Sequence, residues 1–406
     1  MSNVPAGTTD TPAGHPASRR IEDIECLRAV AVIGILVHHL QGPLYYWNPA
    51  WLGRLFEHFA FWSGVDLFFA ISGFVIARSL LPQLAASAHT PGASWTTVLA
   101  FWVRRAFRLL PSAWLWLGLI MLAVLAFNRS GAFGSVHANL WATLAGVANL
   151  ANLRFADSFM HYEYGASFSY WTLSLEEQFY LLLPLAAWLL RARLVWLLLA
   201  LILMQFCLTR TIWGTSFRTD ALAWGVLLAM AQGTPLWKRM EPGGLRSRWA
   251  RYPVLLTLFG AAAWLSADSN TATLNWRIGL IAILCVTLVW LGSYGRGYIC
   301  SAGWLKTVLL WIGSRSYAIY LIHIPVYFFV REGLWRMGMA GTPPPAYSLF
   351  VYAASAMLLI AVLAEANYRW VESPLRDQGV RLARRIQQAD CQANPLESRP
   401  AHISPM

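Results

Sequence analysis

The chain has 406 residues, of which 57% are hydrophobic and only 12% charged, and its mean hydropathy is +0.48. A charged share near half that of an ordinary soluble protein excludes disorder and argues against a water-soluble globule, so the expected fold class is all-α, one polytopic transmembrane bundle. The net charge of +12 falls in short clusters between apolar runs, where it sets topology or meets anionic headgroups rather than nucleic acid. Residues 1–20 are polar and rich in Pro, Gly, Ala, Ser and Thr, so they read as a disordered cytoplasmic tail with no cleavable signal peptide. Apolar runs then predict spans near 27–44, 59–81, 109–127, 171–190, 194–212, 216–232, 254–267, 276–293, 308–330 and 347–366, about ten in all. The stretch 138–153 is short for a core about 30 Å thick. It is expected to be re-entrant or interfacial, inside an external loop from 128 to 169. With it so placed, Arg19 and Arg20, Arg104, Arg105 and Arg108, Arg191 and Arg193, Lys238 to Arg251, Arg296 and Lys306, and Arg381 to Arg385 all fall on one side. Both termini are then cytoplasmic. The domain reading is a tail at 1–20, a membrane domain at 21–377 and a basic, partly disordered tail at 378–406, with no internal repeat.

Ionisable groups inside spans cost at least about 2.5 kcal/mol each on insertion scales, which makes each one a candidate site residue. In the first span, Arg28 and His39 are eleven residues apart, so they share one helix face about 16 Å apart along the axis. His38 points roughly 80° away from Arg28. An anionic head and a reactive tail of one elongated ligand would suit that stripe; the other reading is an arginine reaching headgroups and a histidine bonded within the bundle. In GVDLFFAISGF, Asp66 is placed to orient an imidazole, while Ser72 and Gly73 suit either close helix packing or ligand contact. Arg105 and Arg108, at i and i+3, can hold phosphates at the cytoplasmic surface or simply fix topology. Glu176 and Glu177 begin a span, and at most one faces a given pocket. Arg218 and Asp220 lie at an outer mouth, and IGSRSYAIYLIHIPV carries Arg315, Tyr320 and mid-span His323. Five cysteines without C-x-x-C spacing predict neither a disulfide framework nor a metal site.

The series LRAVAVIGILVHH, GVDLFFAISGF, RRAFRLLP, YWTLSLEEQFYLLLP, SRSYAIYLIHIPV and YRWVESPLR, in this order over residues 20 to 377, resembles the acyltransferase-3 family of bacterial integral-membrane acyltransferases. The resemblance implies transfer of an acyl group, commonly acetyl from acetyl-CoA, to a carbohydrate hydroxyl in lipopolysaccharide, another polysaccharide or a glycosylated molecule. It implies that His39 is the essential histidine, Arg28 its basic companion, Arg105 and Arg108 the R-x-x-R pair and Glu176 the glutamate at the start of its span. The family's usual aromatic residue before the histidine is here His38. Implied further are a bacterial inner-membrane location, no permanently bound cofactor, and acyl-CoA, membrane lipid and a glycan as partners. Any relay transferase in the periplasm is expected to be a separate protein.

Acyl transfer from a thioester needs a base, oxyanion donors and exclusion of water. The expectation is that Arg105, Arg108 and Arg28 hold the CoA phosphates while the pantetheine arm threads inward to His39. His39 then acts as general base, or as transient acyl carrier with ping-pong kinetics. Asp66 and Glu176 assist, with His38, Ser72, Arg218, Arg315, Tyr320 and His323 as secondary candidates. The alternative from another class is a transporter or flippase with a buried proton relay.

Overall fold

A computed structural model describes residues 20–88, 92–208, 210–267, 269, 276–339 and 348–393. The tail expected at 1–20 lies outside the described residues except for Arg20, as do 394–406. Among the described residues every regular element is helical, and the one β feature is an isolated bridge between Gln41 and Tyr45. In chain order the helices are α1 (Glu22–His38), α2 (Ala50–His58), α3 (Ser63–Ser87), α4 (Ala93–Ala126), α5 (Val136–Val147), α6 (Ala151–Ser158), α7 (Tyr170–Leu190), α8 (Leu194–Cys207), α9 (Ile212–Ser216), α10 (Asp220–Ala231), α11 (Pro235–Arg239), α12 (Arg248–Leu265), α13 (Arg277–Ser293), α14 (Trp304–Ser314), α15 (Ser316–Arg336), α16 (Ser348–Asn367) and α17 (Ser373–Ala393). By length and composition, four stretches can cross a membrane: Ser63–Ser87, Ala93–Ala126, Tyr170–Cys207 and Ser348–Ala389; Arg277–Ser293 is apolar but shorter. The chain is a multi-pass helical membrane protein.

Local chemistry explains the helix limits. Glu22, Asp23 and Glu25 fill the first turn of α1 and offset its unpaired N–H groups. Ser135 caps α5 by accepting from the Ala138 amide at 3.1 Å. The twelve residues of α5 reach only about 18 Å, and the chain breaks after it at Asn149, whose φ is +56°. Neither α5 nor α6 is long enough to cross alone. Between α16 and α17, residues Tyr368–Glu372 form a π-turn. Pro374 lacks an N–H and its ring would clash with the carbonyl four residues back, so the wider turn accommodates it without breaking the rod.

Two expected boundaries differ. The span expected at 109–127 begins at Ala93, because the arginine-bearing half of α4 continues as a helix that packs along α17, Gly379 against Phe107. The span expected at 308–330 is two helices broken at Arg315, whose side chain turns toward Glu365 at 2.6 Å. The basic tail expected from 378 is helical as far as Ala393.

Small residues let these helices approach backbone to backbone. A Cβ on Gly73 would lie 2.1 Å from the Leu222 carbonyl oxygen, and one on Gly225 would lie 2.2 Å from that of Ala70, so α3 and α10 touch main chain to main chain. For Gly73 the structure thus selects packing over ligand contact. Gly73→Val is expected to force α3 and α10 apart at a cost of about 1–3 kcal/mol, seen as a lower midpoint in a fluorescence-detected size-exclusion melt. Gly260→Ala, where a Cβ meets nothing within 4 Å, is expected to leave that midpoint unchanged.

Candidate active site

Arginines from four elements converge at one end of the bundle. Arg20 just before α1, Arg28 on α1, Arg78 on α3, Arg108 on α4 and Arg376 on α17 surround a space of about 650 Å³ with Glu25 and Glu372. Five guanidiniums facing two carboxylates leave this vestibule strongly positive. The Nε atoms of Arg28 and Arg108 are buried without a hydrogen-bond partner, and among the described residues neither side chain forms an ion pair within 4.0 Å. Buried donors held without an acceptor are costly, and they are what an arriving anion would satisfy.

Arg28, Val75 and Arg108 also line a second space, a chamber of about 670 Å³ reaching deeper between α1, α3, α4, α7 and α15. Ser72, Arg105, Glu176 and Tyr180 form its walls. The Arg105 guanidinium lies over the rings of Phe101 and Tyr180, at 5.6 and 5.5 Å, and the Tyr180 hydroxyl donates to Glu176. Arg105 is therefore a chamber residue rather than one at the surface, whereas Arg108 borders both spaces. Phe68, Thr172 and Tyr320 line the chamber as well. The Thr172 and Tyr320 hydroxyls are 2.6 Å apart, and Tyr320 donates to the Ser169 carbonyl at 3.1 Å.

One turn beyond Tyr320 on α15 stands His323, fully buried. Its Nε2 is 3.0 Å from Nδ1 of His39, and its Nδ1 is 2.6 Å from the Tyr320 carbonyl oxygen. His39 closes the last turn of α1, its amide 3.1 Å from the Ile35 carbonyl. Neither histidine lines the chamber; Tyr320, which does, lies ring to ring with His323 at 5.5 Å. His38 turns toward Phe56 of α2, with rings 5.6 Å apart, so the two adjacent imidazoles do face different surroundings, as the helical phase requires. On the far side His39 meets the edge of Phe168 at 5.4 Å. Phe168 in turn belongs to an open cleft of about 810 Å³ over α6, with Phe155, Tyr162, Glu163, Tyr164 and Phe328 in its walls. A continuous line of contacts thus runs from basic vestibule to chamber, to the imidazole pair, to the aromatic cleft.

Asp66 stands apart from this line, which corrects its expected role. Its carboxylate is fully buried against Arg218, with Nε to Oδ1 at 3.0 Å and Nη2 to Oδ2 at 3.1 Å. The guanidinium is held between the rings of Trp62 and Trp171, 5.3 and 5.1 Å from their centroids. Asp220 pairs in the same way with Arg210 at 2.5 Å. A buried carboxylate must be neutralised at short range, and Arg218 rather than His39 does so for Asp66. Arg218 and Asp220 accordingly lie inside the bundle rather than at an open mouth. Arg315 is likewise structural: it pairs with Glu365 and stacks on Trp311 and Tyr368.

Arg20, Arg78, Glu372 and Arg376 were not legible as site residues from the sequence. Glu372 and Arg376 stand in the YRWVESPLR segment, whose Ser-Pro step marks the π-turn beside the vestibule. Because breaking one half of a buried pair strands the other charge, Asp66→Ala is expected to cost about 3–5 kcal/mol. Asp66→Asn with Arg218→Met should recover much of that in a thermal melt of the detergent-solubilised protein.

The family profile described as an acyltransferase domain, that of acyltransferase-3, matches residues 21–365. Among curated proteins the chain is similar to the O-acetyltransferase OatA of Staphylococcus aureus (strain NCTC 8325 / PS 47), with 27% identity over 89% of this chain and 58% of the relative. It is similar to the same degree, over the same shares, to a putative O-acetyltransferase of Staphylococcus aureus strain COL. The chain thus spans somewhat over half the length of these curated relatives. No solved structure matches it. Its motifs in order, its helical membrane architecture and a match over most of its length agree: the chain belongs to the acyltransferase-3 family of bacterial integral-membrane acyltransferases.

Proposed function

We propose that this protein is an inner-membrane O-acyltransferase that moves an acyl group, acetyl first among them, from acyl-CoA to a hydroxyl of a carbohydrate acceptor. The observation that carries the reading is the line of contacts from a five-arginine vestibule, through a chamber, to the His39–His323 pair. In this reading about ten spans leave both termini in the cytoplasm and open the vestibule to that side. Arg28 and Arg108, with Arg20, Arg78 and Arg376, take the donor phosphates through charge-assisted bonds. Arg105 and Glu176, joined through Tyr180, hold the pantetheine arm in the chamber. The packed Phe68, Thr172 and Tyr320 keep water from the thioester.

His39 is the base. It takes the proton from the acceptor hydroxyl as the new C–O bond forms and the thioester C–S bond breaks. The acceptor arrives through the aromatic cleft, whose ring faces and polar rim suit the alternating apolar faces and hydroxyls of a sugar. The names of the relatives, both O-acetyltransferases, support acetyl over longer chains. The family match favours acyl transfer over a transporter.

Titrating the protein in lipid nanodiscs with CoA and acetyl-CoA by calorimetry is the direct test. Saturable binding is expected, and its absence from folded protein would overturn the acyl-CoA reading. Arg108→Ala removes a charge-assisted contact worth about 1.5–3 kcal/mol, so it should weaken donor affinity roughly 10- to 150-fold. His39→Ala is expected to abolish transfer of acetyl label while membrane insertion, followed by accessibility of engineered cysteines, stays as in the wild type.

A further inference from the structure

We infer that His323 is a positioning residue that fixes the tautomer of His39 and leaves Nε2 of His39 as the free basic nitrogen. The inference rests on the reading of His39 as the base and assigns the atom that acts. Its starting point is the Tyr320 carbonyl oxygen, which can only accept. At 2.6 Å from that oxygen, Nδ1 of His323 must carry a hydrogen. A neutral imidazole carries one N–H, so Nε2 of His323 presents a lone pair. That lone pair faces Nδ1 of His39 at 3.0 Å, so the hydrogen between the rings belongs to His39 and is donated to His323. With Nδ1 occupied, the second nitrogen of His39 is unprotonated.

The opposite arrangement would require a charged His323 donating from both nitrogens. His323 is fully buried. Among the described residues no carboxylate pairs with it, and Asp66, on the neighbouring α3, is committed to Arg218. A cation buried there without a counter-ion is too costly to hold. The ring is also fixed in place. Tyr327, one turn on, donates to the Leu36 carbonyl at 2.9 Å and so ties α15 to the last turn of α1, three residues before His39. The Tyr327 ring meets the His323 ring edge-on at 5.9 Å.

This arrangement acts on rate rather than on donor binding. The acceptor hydroxyl gives its proton to Nε2 of His39 while its oxygen bonds to the acyl carbon and the C–S bond breaks. The imidazolium then returns that proton to the departing CoA thiolate. While His39 is charged, its Nδ1–H bond to His323 becomes charge-assisted and stronger, and an interaction that strengthens only along the reaction raises turnover without tightening the ground state.

The test uses membrane vesicles containing the full chain, supplied with [14C]acetyl-CoA, and follows alkali-labile label in the membrane glycans. His39→Ala should give none. His323→Leu and His323→Asn, which offer no acceptor at the Nε2 position, should lower the maximal rate at least about 30-fold, since a mis-set tautomer removes most of a base's contribution. The KM for acetyl-CoA should stay within about twofold, because the phosphate contacts are untouched. His323→Gln, whose amide oxygen reaches that position, should recover to within about fivefold of wild type. Wild-type turnover in His323→Leu, or equal loss in His323→Gln and His323→Leu, would overturn the assignment while leaving His39 as base. Labelled product from His39→Ala would instead overturn the base itself. Should the leucine variant fail to fold, the glutamine and asparagine pair, alike in polarity, carries the same comparison.

Discussion

The first helix is clamped between two neighbours at a distance only glycine permits. A Cβ on Gly64 of α3 would lie 2.6 Å from the Ala31 carbonyl oxygen, and one on Gly313 of α14 would lie 2.0 Å from that of Glu25. The clamp matters because α1 carries Arg28, between vestibule and chamber, and ends at His39, against α15. In a bilayer, helix association draws on close packing more than on hydrophobic burial. The spacing between Arg28 and His39 is fixed by the rise of α1 itself, and the contacts that hold the bundle together set where α3 and α14 stand against it.

Electrostatics divides the arginines into two kinds. Arg210, Arg218 and Arg315 are spent on carboxylates at 2.5 to 3.0 Å, and Arg218 and Arg315 on aromatic faces as well. Arg218 and Arg210 let Asp66 and Asp220 exist inside the protein, whereas Glu365 is partly exposed. Arg28 and Arg108, each with a buried Nε, form no ion pair within 4.0 Å among the described residues. The distinction is one of stored solvation cost. A paired arginine has already recovered its desolvation, whereas an unpaired one recovers it when an anion binds.

Apolar runs bounded by charge were read closely from the sequence: the run at 171–190 is the helix Tyr170–Leu190, and that at 276–293 is Arg277–Ser293. The reading failed where helices carry charge or bend around it. In the first half of α4 the apolar run Val98–Val103 is only six residues long before Arg104, Arg105 and Arg108, and Arg315 at the break pairs with Glu365, fifty residues away. In the site, local periodicity correctly set Arg105 and Arg108 on one face and His38 and His39 on different ones. It could not supply partners. Its motif points Asp66 toward the imidazole, but the tertiary fold gives it Arg218, 152 residues later, and brings His323 to His39 across 284 residues. Pairings over such separations follow from how helices pack, which no single-helix pattern contains.

The vestibule's composition has a consequence for turnover. In the proposed reading its arginines take the phosphate end of a nucleotide thioester, remote from the acyl group, and would contribute the same binding energy to loaded and discharged carrier. Binding shared by substrate and product does nothing for the chemical step. Under the proposed donor it makes the spent carrier a competitor for its own site, and the pace of catalysis becomes tied to how fast the guanidiniums let go.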